Sequence, residues 1–318
     1  MINRLKKKLN SIKKGIIDRS LKGYLQPNTE LFYDIVSKKE AINRVAKGFQ
    51  FTEGPVWISD EQGLLFSDIL ADTIYKLDQF GKVSVFRKPS GNSNGLALDG
   101  QGRLIACEHG TRLVTRTEKD GTVRVLADMS NGRKLNSPND VVAKNDGSIY
   151  FTDPPYGIQP EEQEQPVQAV YRISEDGGKI YIIADDFICP NGLAFSPDES
   201  KLYIDDSSPL RKHLRVVDLQ KRGPLSPAEL FYDINSDATR SPDGMKLNIR
   251  GDIFCSGPGG VWVFADESFH LGTIVTPENP SNCAWGDEDR RTLFITACTS
   301  IYKIRLKIPG ISAGRLYE

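Results

Sequence analysis

One short pattern recurs six times along the 318 residues: a polar residue, a run of small or apolar residues, a turn rich in Asp, Asn and Gly, then a second apolar run. Its copies begin at Glu53 (EGPVWISDEQGLLFSDI), Asn94 (NGLALDGQGRLIACEH), Asn139 (NDVVAKNDGSIYFTD), Asn191 (NGLAFSPDESKLYIDD), Asp243 (DGMKLNIRGDIFCSG) and Asn282 (NCAWGDEDRRTLFITA). The spacings are 41, 45, 52, 52 and 39 residues. Most units continue with a further strand pattern, such as TIYKLDQFGKVSVF or GVWVFADESFHLGTIV. Alternating β-branched and aromatic residues between Asp-Gly turns specify strands, not helices. Three or four short strands per 40–50 residues, six times over, is the sequence form of an all-β, six-bladed β-propeller with four-stranded blades.

The sixth unit ends near Leu306, about one strand short of a blade, and Ala41–Lys47 is placed to supply it, closing the ring through an N-terminal strand. Closure of this kind removes the open sheet edge. Residues 30–318 therefore read as one propeller and residues 1–29 as a leader. Residues 1–22 hold eight basic side chains and one acidic, a net +7, so with a total of −1 the rest of the chain sums to −8. Apolar positions at Ile2, Leu5, Leu9, Ile12 and Ile16 fit one helical face opposite the lysines, so weak contact of residues 1–22 with an anionic membrane surface is one reading and a solvated tail the other. The lysines break any signal-peptide core, and no run approaches the roughly 20 apolar residues of a membrane span. A cytoplasmic location is the default expectation. Five widely spaced cysteines without a C-x-x-C indicate neither a disulfide framework nor a zinc knuckle. Balanced charge argues against a nucleic-acid partner.

In a propeller the first strand of each blade lines the axis. The repeat phase thus places Glu53, Asn94, Asn139, Asn191, Asp243 and Asn282 in a ring of six oxygen-bearing side chains at one face. Taken singly, each reads as a turn residue, because Asn-Gly and Asp-Gly are turn dipeptides. Six at one phase of six repeats are not explained by turns. Two carboxylates among several carboxamides suit a hard divalent cation: Ca²⁺, Mg²⁺ or Mn²⁺.

The phrases FTEGPVW (51–57), SPND (137–140), PNGLAFSPD (190–198), PDGMKL (242–247) and GPGGVWVF (257–264) resemble the gluconolactonase / senescence-marker-protein (regucalcin-like) lactonases, in the family's order and across residues 30–307. The resemblance implies a six-bladed propeller, one central divalent cation (Ca²⁺ first, with Mg²⁺, Mn²⁺ or Zn²⁺ as alternatives) and a small-molecule lactone substrate. It implies metal ligands at Glu53, Asn139, Asn191 and Asp243, and a substrate contact at Asn94. Asn92 stands where the animal members carry an Arg, so their sugar contacts do not transfer. CEHG at 107–110 is similar to the bacterial and fungal branch. It puts Glu108 and His109 at the end of a second strand facing the ring, and Asp153, Tyr156, Asp206 and Pro258 reach the same rim by the same reasoning.

The expected chemistry is Lewis-acid polarisation of a sugar-lactone carbonyl and attack by water. Asp243 is the candidate base, or a direct nucleophile by analogy with diisopropylfluorophosphatase. His109 is the other catalytic candidate. Asn94, Glu108, Asn282 and Tyr156 are candidate substrate contacts. A phosphotriesterase-like or other ester hydrolase, and a non-catalytic Ca²⁺-binding propeller, are the competing functions. GNSNG (91–95) matches the G-x-S-x-G elbow, but a strand pattern follows Ser93 where that elbow needs a helix. His213 and His270 fall in outer strand patterns and are expected to be exposed.

Overall fold

A computed structural model describes residues 22–220, 227–234 and 240–312. Six antiparallel sheets follow the six repeats. Blade 1 comprises Thr52–Ile58, Gly63–Asp68, Thr73–Asp78 and Val83–Arg87; blade 2 comprises Ser93–Leu98, Leu104–Glu108, Leu113–Thr117 and Val123–Ala127. Blade 3 is Val141–Ala143, Ile149–Thr152, Gln168–Ile173 and Ile180–Phe187, and blade 4 is Pro190–Phe195, Lys201–Ser208, Arg211–Asp218 and Glu229–Asp233. Blade 5 is Met245–Leu247, Ile253–Gly257, Gly260–Phe264 and His270–Val275. Blade 6 is Pro280–Gly286, Thr292–Ala297 and Ser300–Arg305, completed by Asn43–Lys47, which pairs with Ser300–Arg305. Each inner strand touches the next, and the inner strand of blade 6 touches that of blade 1. The ring is the six-bladed propeller expected, with the N-terminal strand closing it.

The recurrent Asp turns have a local cause. Asp99 Oδ1 accepts the backbone N–H groups of Gln101 (3.0 Å) and Arg103 (2.9 Å), and Asp78 does the same for Phe80 and Lys82. An acidic side chain that bonds its own backbone two residues on reverses the chain without help from the rest of the fold.

The core is not central. It is divided into six apolar layers, one between each pair of neighbouring blades. Phe151 and Tyr171 of blade 3 pack on Ile105 and Val114 of blade 2, and Trp57 and Phe66 of blade 1 pack on Phe294 and Ile301 of blade 6. The layer between blades 5 and 6 also takes in Phe32 and Ile35, from the short helix Phe32–Ile35. Buried apolar area holds sheet to sheet, so the axis is left to polar groups.

The sequence pattern did not reveal one strand. Tyr24–Pro27, within the range read as leader, adds a fifth strand to the outside of blade 5 by pairing with His270–Val275. The helical face and membrane contact read for residues 1–22 fall on residues 1–21, which lie outside the described residues, plus Lys22. His270 is also half-buried, not exposed as expected: its ring stacks on Trp262 at 4.3 Å and meets Asn28 at 2.9 Å. His213 is likewise half-buried.

Glycine follows the ring position in four blades because the neighbouring blade leaves no room. Gly54 has φ +50°, and a Cβ there would sit 1.9 Å from the carbonyl oxygen of Asn94. A Cβ on Gly192 would lie 2.4 Å from the carbonyl oxygen of Asp243. Both obstacles are backbone, so neither yields to a rotamer change. Gly54→Ala is therefore expected to lower stability by at least about 2 kcal/mol, read as a reduced urea midpoint with unchanged slope. A wild-type midpoint would refute the close approach.

Candidate active site

The inner strands break their register where the ring residues sit. The pairing shifts between Glu53 and Val56, Ser93 and Leu96, Pro190 and Leu193, and Pro280 and Asn282. A bulge adds a residue to one strand and re-aims the side chains beside it. In blades 3 and 5 the ring residue lies just ahead of the inner strand, tied by Asn139 N–H to Thr152 O (2.8 Å) and Asp243 N–H to Ser256 O (2.8 Å).

The chain entering three of these positions is braced by an aspartate near the end of the second strand. Asp68 accepts from the N–H groups of Gln50 and Phe51, Asp153 from Asn136 and Ser137, and Asp206 from Ile188 and Cys189, at 2.7–3.0 Å. Asp153 and Asp206 were expected at the rim; their oxygens are instead committed to this bracing, and Asp206 also pairs with Arg211 at 2.8 Å. The repeat FSD, FTD, IDD carried this signal in the sequence.

The ring side chains form a directed hydrogen-bond chain. Asn94 Nδ2 lies 3.2 Å from His109 Nε2 and donates to Asn139 Oδ1 at 2.7 Å. Asn139 donates to Asn191 Oδ1, Asn191 donates to Ser207 Oγ (3.3 Å), and Ser207 bonds the Tyr156 hydroxyl. Each amide donates onward through its nitrogen, so the orientation of one fixes the next. His109 and Tyr156 are thus brought to the two ends of one network. Ser207 was not read from the sequence; a serine in a strand carries no distinguishing pattern.

On the other side of the ring, Asn282 reaches Asp140 Oδ2 (3.4 Å) and Lys246 Nζ (3.5 Å) and helps to hold the Glu53 carboxylate. Glu53 is almost wholly buried, and burial, then the Asp243 charge, push its carboxyl well above the ordinary range, with Asp140 adding to the effect. The Gly54 N–H (3.0 Å) opposes it. Asp205, fully buried, is also pushed well above its usual range by burial and then by Asp243 and Asp206. Asp140, Asp205 and Lys246 form a polar layer around the axis that repeat phase alone did not single out, since only the ring position is polar in every blade.

Glu108 is not brought to the ring. Its carboxylate pairs with Arg87 (2.8 Å) and accepts from the hydroxyls of Thr111 and Thr115, both at 2.6 Å. It anchors the turn that presents His109. The Pro258 carbonyl is taken by Trp262 Nε1 at 2.8 Å.

Among the described residues, no three His, Cys, Asp or Glu side chains gather to hold a metal ion by themselves. The donor set read from the sequence is of a different kind, two carboxylates with amide oxygens. No cationic side chain among the described residues pairs with Glu53, although Asp243 and Asp140 both raise its protonation. Glu53, buried and without a cationic partner among the described residues, is a donor that suits a hard divalent cation; the Asn139 and Asn191 amide oxygens, which here accept from their ring neighbours, would exchange those bonds for the ion, with Asp243 as the second carboxylate.

A family model described as SMP-30/Gluconolactonase/LRE-like region matches residues 51–299. A gluconolactonase of Zymomonas mobilis is 33% identical over 309 residues, covering 89% of this chain and 85% of its own length. Among solved structures, a gluconolactonase of Xanthomonas campestris superposes with a TM-score of 0.81 at 31% identity, covering 89% of this chain and 95% of the other. A calcium-binding regucalcin of Agrobacterium tumefaciens has a TM-score of 0.73 at 18% identity, covering 88% and 98%, a likeness of fold.

The raised Glu53 carboxyl has a definite pH signature. The folded state keeps a proton that the unfolded chain loses near pH 4.5, so stability falls as pH rises above that value, through the folded pKa. In chelator-treated protein the melting temperature should fall between pH 5 and 8, and Glu53→Gln should flatten that slope and melt higher than wild type at pH 8. Scanning calorimetry at several pH values checks both; equal slopes would remove Glu53 as the source.

Proposed function

The chain belongs to the SMP-30/gluconolactonase family, and on that premise we propose that it is a lactonase that hydrolyses a sugar lactone at the ring of axial side chains, with a divalent cation held by Glu53, Asn139, Asn191 and Asp243. The observation that carries the reading is the convergence of two carboxylates with a directed amide network at one end of the axis, in a chain whose relatives are named for lactone hydrolysis. The regucalcin relative, named as calcium-binding, supports Ca²⁺ as the first cation to try. A hard cation in this donor set supplies Lewis acidity to a carbonyl oxygen.

The chain's own residues supply the rest. Asp243 is half-exposed where the other ring residues are buried, so its carboxylate is the one open to an incoming water. It accepts a proton as that water adds to the lactone carbonyl. The ring C–O bond then breaks and the leaving oxygen takes up a proton, with His109 as donor, giving the open hydroxy acid. Asn94, Asn282 and Tyr156 bind and orient sugar hydroxyls through their amide and phenol groups. Glu53 stays within the buried wall and keeps water from that side.

The experiment is hydrolysis of a panel of aldonolactones, simple lactones and a phosphotriester by chelator-stripped protein, with and without added Ca²⁺, Mg²⁺, Mn²⁺ or Zn²⁺. Aldonolactone opening should be restored by cation and fall by about 10²–10⁴ in kcat in Asp243→Asn, the range of a lost general base. Asn94→Ala should raise KM with a smaller change in kcat. No turnover with any cation, alongside cation binding that Glu53→Gln abolishes, would leave a binding protein and not an enzyme. Preference for the phosphotriester would reassign the reaction.

A further inference from the structure

At the far end of the axis from the ring, the channel opens into a separate cavity of about 120 Å³. Its walls are mostly apolar: Val56, Leu98, Val141, Ala194 and Leu247 from the inner strands, with Ile311 near the chain's end. Three groups interrupt that lining. Trp57 and Trp285 both border the cavity and are only 6% and 7% exposed, and neither indole Nε1–H finds an acceptor among the described residues. Lys246 borders it too; its ammonium donates to the Met245 carbonyl at 2.9 Å and to Asn282 Oδ1 at 3.5 Å, and a lysine has three N–H donors to place.

Buried N–H groups without an acceptor are rare in folded proteins, and two beside one cavity need a common account. The stacking of Trp57 on Phe294 (5.3 Å, 16°) and the edge contact of Trp285 with Phe254 (5.0 Å) hold both rings in place, so neither turns out to solvent to find water. Both rings border the cavity, so an oxygen bound there is a candidate acceptor for them. An apolar cavity of about 150 Å³ is large enough for benzene, so the space here suits a ring of five or six atoms. A bare hydrocarbon would leave the donors unpaired, and a polyol would bury hydroxyls against Leu, Val and Ile.

We propose that this cavity is a second small-molecule site, distinct from the axial ring, that takes a compact apolar ring bearing one carbonyl oxygen. The oxygen accepts from the indole N–H groups or from Lys246, and the ring carbons fill the apolar wall. The site rests on its own lining and holds whether or not the axial ring is a lactonase centre.

The chain's three tryptophans give three indole N–H signals in a ¹H–¹⁵N correlation spectrum, and Trp→Phe variants assign them. Trp262, bonded to the Pro258 carbonyl, is the internal reference. Titration of the full-length protein with cyclopentanone should shift the Trp57 and Trp285 signals saturably and leave Trp262 in place. Cyclopentane should need at least a tenfold higher concentration, and sorbitol should shift neither signal. Ala143→Leu, which fills the cavity wall, should raise the cyclopentanone midpoint at least tenfold; Ser312→Phe, on another part of the lining, serves if the first variant does not fold. Equal shifts of all three tryptophans, no saturation, or a midpoint unmoved by a folded variant of either kind would overturn the proposal.

Discussion

Everything at the axis depends on how closely the backbone of one blade approaches the ring residue of the next. The Gly95 N–H donates to the Asn139 carbonyl at 2.7 Å, the Ser67 hydroxyl to that of Asn94 at 2.8 Å, and the Thr152 hydroxyl to that of Asn191 at 2.7 Å. These bonds occupy the main-chain oxygens at the ring and link neighbouring sheets at the level where they meet. Side-chain oxygens and amides are what remain to face the axis. A polar centre built in this way is held through the main-chain carbonyls of its members, so those members differ in chemistry without differing in position.

That arrangement concentrates negative charge where water is scarce. Asp243 and Asp140 both raise the protonation of Glu53 and of Asp205, while Lys246 draws that of Asp140 back down and Arg240 lies within reach of the Asp243 charge. Burying like charges opposes folding, so the six apolar layers between blades must carry that cost. Local rules are broken here and satisfied elsewhere, which is the usual mark of a site kept for its chemistry.

Much of this was legible beforehand. The six repeats, the Asp-Gly turns and the missing outer strand of blade 6 gave the architecture, because strand periodicity and turn chemistry are local. The ring was legible through its phase, and Asn94, His109, Asn139, Asn191 and Tyr156 do share one network. Glu108 was read as a ring-facing group because strand position fixes which end of a blade a residue occupies, not which neighbour takes its charge; in the structure Arg87, from the preceding blade, takes it. Tyr24–Pro27 escaped because four residues of outer strand carry no alternation of their own, and their partner lies at the opposite end of the chain. The lower polar layer escaped because Asp140 and Lys246 arise once each, and a search for repetition passes over what is not repeated.

Closing the ring with Asn43–Lys47 also sets an order of events. That strand precedes every blade in the chain, yet its partner Ser300–Arg305 follows the first five blades and the inner strands of the sixth. Until then blade 6 is incomplete, blade 1 has no neighbour on one side, and Glu53 has no Asn282 beside it. A nascent chain can assemble five blades and still hold no finished centre, so the ring of axial side chains is completed only when the sixth blade closes on the first.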